Sequence, residues 1–471
     1  MSVTILLILA LVFGCYVAWN IGANDVANAV GTAVGSGALT LRSAVLIAAI
    51  FEFSGAFFLG SNVSETVEAG IVNPDLFSED TADYVYGMLA SLLAAGIWLQ
   101  FASYFGWPVS TTHSIIGAVV GFGLALGGID AIFWSKIGSI VASWIVSPIL
   151  GGIISYFIFS LIRRHILYKT NPVQAAKKMT PYLVFALFFL LTLIMLYKGL
   201  RGFAWLSGPF APIISALVVG LGTALAAYLL VKRIKEPQVP VSRQHYNAII
   251  ALRRARKQLE KVEALSMGEM QKKVHPLTKE VRTLAQDFED IEDESNYTQS
   301  EYHIVERIFV FLQIITACFM AFGHGSNDVA NAIGPLSAII NVLQGRAILD
   351  VGSVPTWLLL LGGTGIVLGL ATWGWRVIET VGKKITQLTP SRGFAAGFGA
   401  ALTIVLASKL GLPISTTHVI VGTVLGVGFA RGIGAINLNT IRDIIVSWVV
   451  TVPAGAILSV LFFYLFRAIF N

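Results

Sequence analysis

The chain has 471 residues, 56% of them hydrophobic and only 12% charged, against about 25% charged in an ordinary soluble domain. With a mean hydropathy of +0.77 it lacks the polar groups to cover a soluble surface, and two Cys cannot staple a disulfide scaffold. A polytopic membrane protein remains. The net charge of +6 is no nucleic-acid footprint, because 25 of the 58 charges lie in residues 232–303 with mixed sign.

A membrane crossing needs about 20 apolar residues. In chain order the candidates are 3–20 with a continuation to 38, then 43–62, 84–105, 108–129 and 137–162. Two more follow at 181–200 and 209–232. After the charged stretch come 304–322 continuing to 343, then 355–378, 393–411, 413–430 and 443–467. No Lys or Arg precedes the first run, so it reads as a membrane helix and not as a signal peptide. The expected fold is all-α, with about 12 transmembrane helices.

Loop charge orients them. Arg163, Arg164, Lys169, Lys177 and Lys178 share one loop, and Lys383, Lys384 and Arg392 another; both belong inside. The loop with Glu65, Glu68, Asp75, Glu79, Asp80 and Asp83 has no basic residue and belongs outside. Both termini then lie outside. The 232–303 segment, also inside, carries an apolar stripe of Ile249, Leu252, Leu259, Val262 and Leu265. It reads as a cytoplasmic helical hairpin, with Pro276 breaking its second stretch.

The chain repeats itself. Gly22-Ala23-Asn24-Asp25-Val26-Ala27-Asn28-Ala29 returns as Gly325-Ser326-Asn327-Asp328-Val329-Ala330-Asn331-Ala332. Pro108-Val109-Ser110-Thr111-Thr112-His113 returns as Pro413-Ile414-Ser415-Thr416-Thr417-His418. A weaker echo links Ser64-Glu65-Thr66-Val67 to Ile378-Glu379-Thr380-Val381. Two repeats at nearly one offset define the architecture. The expected layout is a first membrane repeat at 1–162, two linking helices at 163–231, the hairpin at 232–303, and a second repeat at 304–471. An odd number of crossings per repeat inverts the second copy. Inverted repeats with discontinuous helices and a site at their interface are a transporter design.

Asn24, Asp25, Asn28, Asn327, Asp328 and Asn331 lie deep inside apolar runs, where polar groups are expensive unless they face a cavity or one another. Carboxylate and carboxamide oxygens make a hard-oxygen set suited to Na⁺ rather than to zinc. Flanking Gly22 and Gly31 permit a helix break or the close approach of another backbone. The competing reading is interhelical glue. Ser110, Thr111, Thr112, Ser415, Thr416 and Thr417 read as helix N-termini after a proline, which bind anions through free N–H groups. Ordinary caps are the bland alternative. His113 and His418 read as locally hydrogen-bonded groups. No Lys or Arg lies in these motifs, so a bound anion needs co-bound cations or protons. Asp25 and Asp328 could accept a hydrogen bond from a protonated oxyanion, such as the P–OH that hydrogen phosphate carries and sulfate lacks.

The duplicated Gly-x-Asn-Asp-Val-Ala-Asn-Ala and Pro-x-Ser-Thr-Thr-His motifs resemble those of the inorganic phosphate transporter (PiT) family, over about 1–160 and 304–471. The resemblance implies a secondary symporter of the plasma (inner) membrane, not an enzyme, with no covalent cofactor. Phosphate would be coupled to Na⁺ or H⁺ by alternating access. It assigns Asn24, Asp25, Asn28, Asn327, Asp328 and Asn331 to cation and phosphate binding, and the two Ser-Thr-Thr runs to phosphate. Glu52 resembles a glutamate needed for transport, with Ile366 at the corresponding place in the second half. A permease for sulfate or another oxyanion is the alternative. Partners are phosphate, the coupling cation and the bilayer, without nucleic acid; a homodimer stays open.

Overall fold

The computed structural model describes residues 3–73, 81–197, 210–234, 243–289, 293–345, 354–375, 378, 388–432 and 438–470. Asp75, Glu79, Asp80, Glu379, Thr380, Val381, Lys383 and Lys384 lie outside the described residues. The first copies of the motifs sit among α1 (Val3–Gly35), α2 (Leu41–Ala69), α3 (Thr81–Tyr104), α4 (Thr111–Gly127) and α5 (Trp134–Ile162). Next come α6 (Pro172–Tyr197), α7 (Ala211–Lys232), α8 (Arg243–Leu265) and α9 (Glu269–Glu289). The second copies sit among α10 (Asp293–Asp328), α11 (Ala330–Leu343), α12 (Thr356–Thr372), α13 (Pro390–Lys409), α14 (Thr416–Arg431) and α15 (Leu438–Phe470).

A helix, or the pair α10–α11, overlies each of the twelve segments expected from the sequence. Among the described residues, nine helical runs are long and apolar enough to cross a membrane. The helices α4 and α12, with 17 residues each, reach only about 25 Å at 1.5 Å per residue. Lipid-facing surface is plain on α7, where Ile214, Val218, Leu221 and Leu225 are exposed and only Ala216, Gly220 and Val231 are buried.

Helix breaks fall elsewhere than the Gly-flanked motifs suggest. Through Gly22–Gly31, α1 is continuous. In the second copy the interruption is confined to Val329. Polar side chains of the two copies bond one another across helices. The irregular backbone lies instead at 105–110 and 410–415, before α4 and α14.

The two halves exchange partners. The helix α1 packs on α12, and α10 packs on α2; α4 packs on α15, and α14 on α5. Glycine allows these crossings at backbone contact. A Cβ at Gly22 would strike the carbonyl of Ile366, and one at Gly325 that of Glu52. Glu52 and Ile366 therefore occupy equivalent places, as the sequence register expects. The pairs Gly117/Gly121 and Gly422/Gly426 likewise meet the backbones of α15 and α5.

The helices α8 and α9 pair as the expected hairpin. The His275 ring and Glu263 lie 2.5 Å apart, and Arg282 donates to Glu260 at 3.2 Å. The hydrogen bond with His275 holds the Glu263 carboxyl below the usual carboxylate range. Pro276 does not break α9 but lies inside it. The carbonyl it leaves without a donor belongs to Lys272, which is exposed, so water can serve it. Val262 and Leu265 of the stripe are exposed, while Leu252 and Leu259 are half-buried.

Valine at Gly325 or Gly22 should prevent assembly, because the obstacle is backbone and cannot swing away. Alanine at Gly138, where nothing lies within 4 Å, should leave stability equal or raise it by about 0.5–1 kcal/mol. Thermal unfolding of detergent-solubilised variants checks this; a Gly325→Val protein that melts like wild type contradicts the crossing.

Candidate functional site

The four motifs converge on one buried cluster. Asp25 and Asn28 face the same way on α1, and Asn28 Nδ2 donates to Asp25 Oδ1 at 3.1 Å. Thr111 Oγ1 donates to Asp25 Oδ2 at 2.8 Å. In the second copy Thr416 Oγ1 donates to Asp328 Oδ2, also at 2.8 Å. Each asparagine then reaches across to the other copy. Asn28 Nδ2 donates to Thr417 Oγ1 at 2.9 Å, while Asn331 Nδ2 donates to Thr111 and Thr112 at 3.2 and 3.1 Å. None of these side chains is more than 3% exposed.

The Ser-Thr-Thr runs are helix starts. Ser110 caps α4 by accepting from His113 N, and Ser415 caps α14 by accepting from His418 N, each at 3.2 Å. The chain enters both starts through left-handed turns at Gly106 (φ 67°) and Gly411 (φ 69°), a conformation that favours glycine. Thr112 donates to the Ile414 carbonyl and Thr417 to that of Val109, so the two loops brace each other. The serines are thus caps, and the threonines face the carboxylates and the opposite loop. Helix geometry leaves the Thr111, Thr112, Thr416 and Thr417 N–H groups without intrahelical acceptors.

The histidines of these motifs meet edge to face, and His418 stacks on Trp448. His113 and His418 lie 4.4 Å apart, centroid to centroid, between Trp144 at 3.8 Å and Trp448 at 3.5 Å. The expected local hydrogen bonds amount to one long contact, His418 Nδ1 to the Trp144 carbonyl at 3.4 Å.

Asn24 and Asn327 are placed differently from their neighbours. Asn24 Nδ2 donates to Ser103 Oγ and the Trp107 carbonyl. Asn327 Nδ2 donates to Ser408 Oγ and the Leu412 carbonyl, while its Oδ1 accepts from Ile414 N. These two asparagines hold the irregular loops in place. Ser103 and Ser408, which receive them, carry no motif in the sequence.

One residue of the cluster escapes the motif reading. His324 Nε2 lies 2.9 Å from Asp328 Oδ2 and 3.9 Å from Asp25 Oδ2, and its Nδ1 lies 3.2 Å from Glu52 Oε1. A histidine inside an apolar run, four residues before an aspartate and so on its helix face, is the signal that could have found it. At the repeat offset His324 corresponds to Ile21, and Glu52 faces the place held by Ile366 in the other crossing. A carboxylate and an imidazole in one arm thus replace two isoleucines in the other.

The cluster holds three carboxylates, Asp25, Asp328 and Glu52, each at most 1% exposed, and one imidazole. Asp328 Oδ1, Asn331 Oδ1 and both Glu52 oxygens accept no hydrogen bond among the described residues. Ligand atoms of Asp25, His324 and Asp328 lie within 4.8 Å of one another. Unserved buried oxygens beside two carboxylates fit a small hard cation.

The sequence profile of the phosphate transporter family matches residues 21–459. A phosphate permease of Chlamydia pneumoniae is 50% identical over 99% of both chains. The chloroplastic inorganic phosphate transporter 2-1 of Arabidopsis thaliana is 44% identical over 98% of this chain and 72% of its own length. A solved structure described as the sodium-dependent phosphate transporter superposes with a TM-score of 0.76 at 37% identity, covering 98% of this chain and 99% of that one. The chain belongs to the phosphate transporter family, a family of integral membrane transporters and not of enzymes.

The two roles of each Ser-Thr-Thr run are separable. Thr111→Val and Thr416→Val delete a hydrogen bond to a charged group, worth about 1.5–3 kcal/mol, so apparent phosphate affinity should fall about ten- to a hundredfold. Ser110→Ala should instead cost about 1 kcal/mol of stability with a smaller change in affinity. Half-saturation constants for uptake and melting temperatures decide; unchanged half-saturation in both threonine variants would reduce the motifs to helix caps.

Proposed function

We propose that this member of the phosphate transporter family is a secondary symporter that carries inorganic phosphate with Na⁺ across the plasma (inner) membrane. The observation that carries the reading is the pair of bonds from Thr111 to Asp25 and from Thr416 to Asp328. The hydroxyls that suit an oxyanion are committed to the carboxylates that suit a cation. A cation drawn to Asp25 and Asp328 competes for those oxygens and frees the hydroxyls. They can then turn to phosphate, together with the N–H groups at the starts of α4 and α14 and the positive ends of those helix dipoles. Cation binding thereby favours anion binding, and the two travel together.

The name of the matched solved structure, a sodium-dependent phosphate transporter, supports Na⁺. Proton coupling is the second reading. His324, between Glu52 and Asp328, favours it, since an imidazole between carboxylates is placed to carry a proton. Alternating access follows from two inverted halves meeting at one site, and the basic loops support both termini outside.

Uptake of radiolabelled phosphate into proteoliposomes under imposed Na⁺ or H⁺ gradients tests the reading. Wild type should accumulate phosphate above its equilibrium level under one of them. Asp25→Asn and Asp328→Asn should each abolish that accumulation or reduce it at least tenfold, with thermal stability kept. Both variants transporting fully with unchanged cation dependence would remove these carboxylates from the coupling site.

A further inference from the structure

A second polar cavity lies away from the carboxylate cluster. It measures about 410 Å³, and its walls include Asn62, Glu65, Thr66, Lys136, Lys409 and Gly411. Its floor is the loop that leads into α14. Thr66 Oγ1 donates to the Gly411 carbonyl at 2.7 Å, while from the other side of the same loop Asn327 holds Leu412 and Ile414. A few residues therefore separate this cavity from Thr416 and Asp328.

Two lysines lie in its walls. Lys136 stands in the first turn of α5, where a cation opposes the helix dipole. Lys409 ends α13 and is 8% exposed, with its Nζ donating to the Met195 carbonyl at 3.1 Å. A cation suits a helix C-terminus, but the pseudo-equivalent position does without one. At the repeat offset Lys409 corresponds to Tyr104, before a loop that makes the same glycine turn. There the surface is aromatic, with Tyr104, Phe105 and Trp107 exposed and their rings packed together. One backbone plan thus ends in a lysine cavity in one copy and in an aromatic surface in the other.

We infer that the Lys136–Lys409 cavity is a loading subsite for hydrogen phosphate on one face of the membrane, the face where α2 ends and α5 begins. The inference rests on the phosphate reading above and adds to it a second, outer station for the anion. The lysines concentrate the anion by charge. Asn62 and Thr66 offer polar groups beside it, and Glu65 offers an acceptor for the P–OH that sulfate lacks. Movement of the 410–415 loop then passes phosphate to the start of α14. The aromatic mouth of the other copy has no such station, so loading is asymmetric between the faces.

Initial phosphate transport rates, measured separately from each face in right-side-out and everted vesicles, test this. In Lys136→Gln, KM should rise about 3- to 10-fold from one face only, more in Lys136→Glu, and the rise should shrink at high salt. The kcat should change less than KM. Lys409→Met should act in the same direction, and Lys409→Arg should restore KM, which separates loss of charge from loss of packing. Unchanged KM from both faces in Lys136→Gln and Lys136→Glu, or an equal rise from both, overturns the subsite. Failure of wild type to move phosphate from either face would instead strike the function proposed above.

Discussion

Three carboxylates buried in the middle of a membrane protein set the terms for everything around them. An uncompensated buried charge costs several kcal/mol even after local relaxation. Asp25, Asp328 and Glu52 share one imidazole, His324. Besides that imidazole, which lies 2.9 Å from Asp328, the two aspartates accept from the neutral Thr111, Thr416 and Asn28. Hydrogen bonds of that kind soften the penalty without cancelling the charge. Buried carboxylates of this kind fit a cation, and under the proposed function the threonine hydroxyls bound to them serve an oxyanion. Under the proposed function, cation and anion binding meet at two carboxylate–hydroxyl contacts, Thr111 with Asp25 and Thr416 with Asp328.

Backbone contact is what seals the cluster. At Gly22 and Gly325 the crossings of α1 with α12 and of α10 with α2 close to the point where a methyl group would not fit. The loops before α4 and α14 are tied to each other by Thr112 and Thr417 and tied down by Asn24 and Asn327. The halves are not equal partners. The Glu52–His324 pair sits where the other crossing has Ile366 and Ile21, so this carboxylate–imidazole pair belongs to one crossing.

Much of this was legible in the sequence because the chain states it twice. The repeated Asn-Asp and Ser-Thr-Thr runs pointed to one site, and the structure brings Asp25, Asn28, Asp328, Asn331 and the threonines together. The apolar runs located the helices, since period and length are local properties. Other features were not local. Asn24 looks like Asn28 in sequence, yet it faces Ser103 and Trp107 because α3 packs behind it. His324 stood alone without a duplicate, so the repeat could not mark it. Pro276 signalled a break that solvent exposure makes unnecessary. Gly22 allowed either a helix break or a close approach, and which of them holds depends on Ile366 of a partner helix hundreds of residues away.

The central claim is that cation occupancy of the buried carboxylates makes the site competent for phosphate. Equilibrium binding of phosphate to the purified protein, titrated at several Na⁺ concentrations and pH values, tests it most directly. The account predicts that phosphate affinity rises steeply with Na⁺ or with protons, and that little phosphate binds when an organic cation replaces Na⁺ at alkaline pH. Equal phosphate affinity across all these conditions would contradict it.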